Sequence, residues 1–298
     1  MSVSEQAVTI GVELEFLIRG LPKTYPRSGH FKLATDALTP LATRLRVQVL
    51  DMVNEQMNQL LPREVISEGF QVKRDMSIKR NSEVPPQRSM EIATPILRNE
   101  RWKTAIPEMI QILSSTFSLD FNYSTGLHVH IGIGREYTLR DLKRIASAVV
   151  IFEEAMDSYH PRHRCHNGND SDISYISSNR ESFMLHHLSD TQMLRSIEEA
   201  QDIEQLLGVI NSPFGTSTLP YSRHYRYNLT SIRRFQTIEF RQAAATDDSD
   251  HIVEWIGMII KFITTAISTP EREFRIWARD GIPDDQVYRR FGVPIPEE

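Results

Sequence analysis

The chain has 298 residues, with 34 Lys+Arg against 39 Asp+Glu and a net charge of −5 at neutral pH. Charged residues make up 24% and the apolar set 40%, a balance that excludes bulk disorder. A pI near 6.1 without a basic block excludes a dedicated nucleic-acid binder, and the single Cys165 excludes an internal disulfide or a Cys-rich zinc site.

The start, Met1 to Gln6, has neither the basic region nor the apolar core of a secretory signal, so a cytoplasmic protein is expected. Residues 8 to 19 predict a strand: Val8, Ile10, Val12, Leu14, Phe16 and Ile18 alternate with Thr9, Gly11, Glu13, Glu15, Leu17 and Arg19. Thr39 as N-cap and Pro40 at N1 predict a helix carrying Leu41, Leu45, Val49, Met52 and Leu60 on one face. Strands are expected at Gly69 to Lys73 and Ser89 to Ala93, separated by Pro85 and Pro86. A second helix is expected from Arg98 to Ser118, where Trp102, Ile106, Met109, Ile110, Leu113 and Phe117 recur at helical spacing.

Leu127, Val129, Ile131 and Ile133 alternate with His128, His130 and Gly132, which predicts another strand. Thr138 and Asp141 form a capping-box pattern that opens a helix to about Tyr159. His160 to Ser178 is polar and long for a connection, so it reads as a loop with a candidate lid role. Two short helices between Ser189 and Ile210 come next, and then a turn region to Pro220. A strand pair is expected at Tyr225 to Ile232 and Thr237 to Gln242, and a last long helix at Asp247 to Ser268. Its apolar run from Trp255 holds Lys261 and is shorter than a membrane span, so it reads as a buried helix. The Pro-containing tail from Thr269 is expected to pack loosely or extend outward. Mixed helices and strands without βαβ alternation predict one α+β domain over residues 1–268, built on a mostly antiparallel sheet, with 269–298 as an extension.

Three of the strands carry charge opposite their apolar face: Glu13 and Glu15, His128 and His130, Glu239 and Arg241. Residues two apart project to the same side of a strand, so each pair presents two groups together. Any one pair reads as a solvated sheet face; three such pairs point to chemistry. On neighbouring strands the carboxylates would repel unless a cation sat between them, and an oxygen-rich set suits Mg²⁺ or Mn²⁺ better than zinc. Glu91 precedes the end of a strand at Pro95, and Asp75 in Arg74-Asp-Met-Ser77 reads locally as an Asx-turn.

These residues carry a resemblance. Gly11-Val-Glu-Leu-Glu-Phe16, Asp75-Met-Ser77, Glu91-Ile-Ala-Thr-Pro95, Gly126-Leu-His-Val-His130, Tyr225-Arg-Tyr-Asn228 and Thr237-Ile-Glu-Phe-Arg241 occur in the order seen in the amidoligase family. That family is part of the glutamine synthetase and glutamate–cysteine ligase superfamily, and the match spans roughly residues 8 to 260. The resemblance implies a curved, glutamine synthetase-like sheet and an ATP- and Mg²⁺- (or Mn²⁺-) dependent ligase that joins a small-molecule carboxylate to an amine through an acyl phosphate. It implies metal ligation by Glu13, Glu15, Glu91, Glu239 and either His128 or His130, with Glu83 a weaker candidate. Arg241 becomes the phosphate-facing cation, Tyr225 and Asn228 join it in cofactor binding, and Arg162 and Arg164 fall where relatives present a substrate- or phosphate-binding arginine. Asp75 is nominated to take the proton of the incoming amine. Nucleic acid and membrane are not expected as partners, and a homo-oligomer is left open.

Other readings stay open: a phosphotransferase of the same superfamily, a metal hydrolase or oxygenase using His128 and His130, and a non-catalytic binding module. His160, His163, Cys165 and His166 lack the spacing of a structural zinc site, and no thiolate-activating partner for Cys165 is visible in sequence. Gly132-Ile-Gly134 is not a dinucleotide fingerprint, and no Walker A sequence occurs.

Overall fold

Alternation of apolar and polar residues along Thr9–Arg19 produces the strand around which the N-terminal half is organised. The computed structural model describes residues 7–20, 29–52, 68–80, 87–165, 176–213 and 220–295. Met1 to Gln6, Leu60, Glu83, Pro85, Pro86 and His166 lie outside the described residues. The chain divides into two compact units, one of Thr9–Val129 with Ala243–Trp255, the other of Met1–Val8, His130–Gln242 and Ile256–Glu298.

In the first unit β1 (Thr9–Arg19) is followed by α1 (Gly29–Leu45), β2 (Gln48–Asp51), β3 (Gly69–Lys73), β4 (Arg88–Ala93), β5 (Leu97–Arg98), α2 (Trp102–Thr116), β6 (Ser118–Asp120) and the start of β7 (Gly126–Gly132). Sheet order is β2-β3-β4-β1-β7, with β5 and β6 also paired to β1. The β1/β4, β1/β5, β1/β6 and β3/β4 pairs are antiparallel, and β2/β3 is parallel. The sheet is therefore mixed and mostly antiparallel, as predicted. Val12, Leu14, Phe16 and Ile18 are buried on one side of β1, each such side chain contributing about 1.5–3 kcal/mol. Trp102, Ile106, Met109 and Leu113 form the buried stripe of α2, and α1 packs on that helix.

The first helix differs from its prediction. Pro40 lies inside α1 rather than at its start, and the helix ends before Val49, which belongs to β2. Thr35, Thr39 and Thr43 donate their hydroxyls to the carbonyls four residues back, so polar groups on the helix surface are met locally. Arg46 turns left-handed at φ 59° and stops the helix, with Val47 N–H donating to the Ala42 carbonyl at 2.9 Å.

The second unit holds the end of β7, α3 (Leu139–Asp157), α4 (Asp190–Glu199), α5 (Ile203–Ile210), β8 (Tyr227–Asn228), α6 (Ile232–Phe235), most of β9 (Ile238–Ala244), most of α7 (Ser249–Ser268), α8 (Glu271–Asp280) and α9 (Asp285–Phe291). β7, β9 and β8 follow in that order, with β8 antiparallel to β9. The predicted capping box is present: Asp141 N–H donates to Thr138 Oγ1 at 3.1 Å and Thr138 N–H to Asp141 Oδ2 at 2.9 Å. The strand expected at Tyr225 to Ile232 shortens to two residues, because Asn228 Oδ1 accepts from Thr230 N–H at 3.0 Å and turns the chain into a 3₁₀ helix at Leu229–Ser231.

Residues after Thr269 do not extend outward. Phe274, Trp277 and Phe291 are buried, and their rings join those of Phe152 and Phe262 in one aromatic core. Pro270 and Pro283 precede helices rather than interrupting them, and Gly292 at φ 74° closes α9 where an added Cβ would meet Lys261 Cδ at 2.9 Å. α7 is the one described helix long and apolar enough to cross a membrane, but half of its apolar window is buried and Phe262 sits in this core.

Candidate functional site

Within the first unit, strand register builds a row of charge. Lys73 of β3 stands opposite Glu91 of β4, and Glu91 opposite Glu15 of β1. Glu13, two residues from Glu15, projects to the same side. Like charges directly opposite on adjacent strands destabilise a sheet, so Glu15 and Glu91 need compensation. Lys73 Nζ supplies part of it, donating to Glu91 Oε1 at 2.8 Å and to Glu13 Oε1 at 3.3 Å. Glu15 is only 6% exposed and accepts the Gly126 N–H at 2.7 Å. His128, also buried, lies between the two carboxylates of β1, with Nδ1 3.6 Å from Glu13 Oε2 and Nε2 3.7 Å from Glu15 Oε1.

Asp75 forms the Asx-turn read from the sequence, its Oδ1 accepting both Ser77 N–H and Oγ–H at 2.6 Å. That turn also delivers its carboxylate to the row: Glu15, Asp75 and Glu91 offer oxygens that all lie within 4.8 Å of one another. Burial, and next the charge of Glu13, pushes the Glu91 carboxyl up to about 7 against the pull of Lys73. Burial works against the charge on Lys73, but Glu13 and Glu91 outweigh it and hold the ammonium above its ordinary value. An oxygen-rich, mutually repelling set with one ammonium already drawn into it fits a hard divalent cation.

Within the second unit, Glu239 and Arg241 share one side of β9. Glu239 is 4% exposed and well supplied with donors. Asn228, its register partner, donates from Nδ2 to Oε2 at 2.6 Å; Ser231 Oγ–H reaches the same oxygen at 3.2 Å, and Arg241 Nη1 donates to Oε1. His130 Nε2 lies 3.8 Å from Glu239 Oε1, and its Nδ1 is 3.2 Å from Thr237 Oγ1. β7 thus sets His128 beside Glu13 and Glu15, and His130 beside Glu239.

Three of the expected ligand-binding residues have partners within the fold. Arg164 is buried and donates to the main-chain carbonyls of Arg241 at 2.7 Å and Gln242 at 2.9 Å, bracing β9. Arg162 is exposed on the same 3₁₀ turn. Tyr225 is buried with its hydroxyl donated to the Ser212 carbonyl, and Asn228 orients Glu239.

Sequence reasoning missed Lys73, whose place depends on the β3/β4 register. It also missed Arg226, 1% exposed, whose Nη1 donates to Glu153 Oε1 at 2.7 Å and to Asp157 at 2.9 Å and whose Nη2 donates to the Cys165 carbonyl. The signal was there: Glu153 and Asp157 stand four apart on one helix, facing a cation inside the Tyr-Arg-Tyr-Asn segment. Burial raises the Glu153 carboxyl and Arg226 opposes it. Burial, with Asp157 beside it, pushes the Cys165 thiol up to about 11, which removes it as a nucleophile at neutral pH.

The chain is an α+β protein whose sheet carries clustered carboxylates, with imidazoles beside Glu13, Glu15 and Glu239. Residues 6–263 match the family described as "Putative amidoligase enzyme", and the chain belongs to that family. Its description is that of an amide-bond-forming ligase. No curated protein matches the chain.

Proposed function

We infer that the protein is an ATP- and Mg²⁺-dependent carboxylate–amine ligase working through an acyl phosphate, on a glutamine synthetase-like sheet, in the cytoplasm. The observation that carries this reading is the Lys73–Glu91–Glu15 row with Glu13, Asp75 and His128 around it, in a chain of the amidoligase family.

Glu13, Glu15 and Glu91, with His128, would hold the divalent ion; Mn²⁺ would serve as well. Such an ion would supply positive charge against the negative charge of the transferred phosphoryl group. The acid substrate's carboxylate oxygen attacks that phosphoryl group, ADP leaves, and the amine nitrogen then displaces phosphate from the acyl carbon with loss of a proton. Arg241, held by Glu239, is assigned to charge developing on the transferred group, and Asn228 and Ser231 keep Glu239 oriented. His130 with Glu239 would bind a second cation. The attacking amine must be neutral, and Asp75 is assigned as proton acceptor; its second oxygen is not used by the turn.

Incubation with ATP, Mg²⁺ and a panel of small carboxylates and amines tests this. Release of ADP and phosphate that depends on both an acid and an amine is expected. AMP and pyrophosphate would reject the acyl-phosphate route, and a stable phosphorylated product would indicate a phosphotransferase instead.

A further inference from the structure

The carboxylate row already contains a cation that belongs to the chain. Lys73 Nζ is 2.8 Å from Glu91 Oε1 and 3.3 Å from Glu13 Oε1, so one ammonium joins the acids of two strands. Glu91 is also one of three acids, with Glu15 and Asp75, whose oxygens lie within 4.8 Å of one another, and Arg74, the residue after Lys73, is exposed. An ammonium on a flexible four-carbon stem can leave such a position, whereas a guanidinium fork would be harder to withdraw. A divalent ion takes carboxylate oxygens at about 2.0–2.6 Å, which brings it onto the oxygens that Lys73 holds. Two cations cannot share them without strong repulsion.

We propose that Lys73 is a built-in counter-cation that occupies a divalent-ion position between Glu13 and Glu91 and is displaced when the ion binds. The deduction rests on the divalent-ion reading above and adds a specific antagonist to it. Lys73 keeps the ion-free row from repelling itself, and it sets the ion concentration at which the row fills.

Mn²⁺ titration of the full chain, followed by electron paramagnetic resonance, compares wild type with Lys73→Met and Lys73→Arg. Lys73→Met should bind Mn²⁺ at least about tenfold more tightly, because an unavoidable competitor is gone, and Lys73→Arg should bind no more tightly than wild type. Equal or weaker binding by Lys73→Met overturns the proposal. A second readout needs no variant: acetylation of Lys73 in the wild type, followed by mass spectrometry, should rise several-fold when Mn²⁺ is added. Unchanged acetylation at a saturating Mn²⁺ concentration also overturns it. If Mn²⁺ binds wild type and both variants equally, only the role of Lys73 is lost; if it binds none of them, the divalent-ion reading goes as well.

Discussion

Replacing Glu91 by Gln should make the ion-free protein more stable, and increasingly so as pH rises. The Glu91 carboxyl is shifted from an ordinary 4.5 to about 7 by burial and by Glu13. Each pH unit of that interval is worth about 1.4 kcal/mol, so an ionised Glu91 costs the folded chain on the order of 3 kcal/mol. The folded value lies above the unfolded one, so this group's contribution is fully present below about pH 4.5 and lost as pH rises through about 7. The amide introduced by Glu91→Gln has no proton to lose and can keep a hydrogen bond to Lys73 through its oxygen. Urea unfolding of both proteins in chelator, at about pH 5 and again at about pH 8.5, measures the difference. The variant should be near wild type at the lower pH and more stable by roughly 2–4 kcal/mol at the higher one. A gap that stays constant between the two pH values, or a wild type that gains on the variant with pH, would show that Lys73 fully neutralises Glu91 and that the row is an ordinary ion pair.

Two further outcomes are expected. Arg226→Met leaves Glu153 and Asp157 without their shared guanidinium and should destabilise the chain by about 3–5 kcal/mol, with part of the loss recovered in an Arg226→Met/Glu153→Gln double variant; no recovery would place the cost in packing rather than charge. Phe291→Ala opens the aromatic core between Phe152, Phe262 and Trp277 and should cost about 3–5 kcal/mol by the same measurement, whereas a cost below about 1 kcal/mol would mean that the C-terminal helices are a loose appendage.

Much of the candidate site was legible because strands report their own geometry. Glu13 with Glu15, His128 with His130, and Glu239 with Arg241 are pairs two apart in alternating segments, and β1, β7 and β9 lie where the alternation puts them. What needed a second strand was hidden. Lys73 is an unremarked end of β3 until its register against β4 sets it opposite Glu91. The assignment of each histidine to a carboxylate also depends on side-chain contacts across strands, which spacing along one strand does not encode.

Proline misled the reading twice, in opposite directions. Pro40 has the preference of a helix start but sits in a helix interior, while Pro270 and Pro283 read as tail-like breaks although each stands just ahead of a helix. Arg164, expected to meet a ligand, has main-chain partners for a related reason. An unpartnered Arg in sequence looks available, yet Arg164 is drawn to two carbonyls of β9 because a buried guanidinium must satisfy its donors.

The central claim is that acids of β1 and β4 form a divalent-cation site, and Mn²⁺ binding to a Glu15→Gln/Glu91→Gln double variant tests it most directly. Electron paramagnetic resonance of the free ion should show at least one Mn²⁺ bound per wild-type chain and at least about a hundredfold weaker binding by the folded double variant. Equal Mn²⁺ affinity in the two proteins would contradict the account.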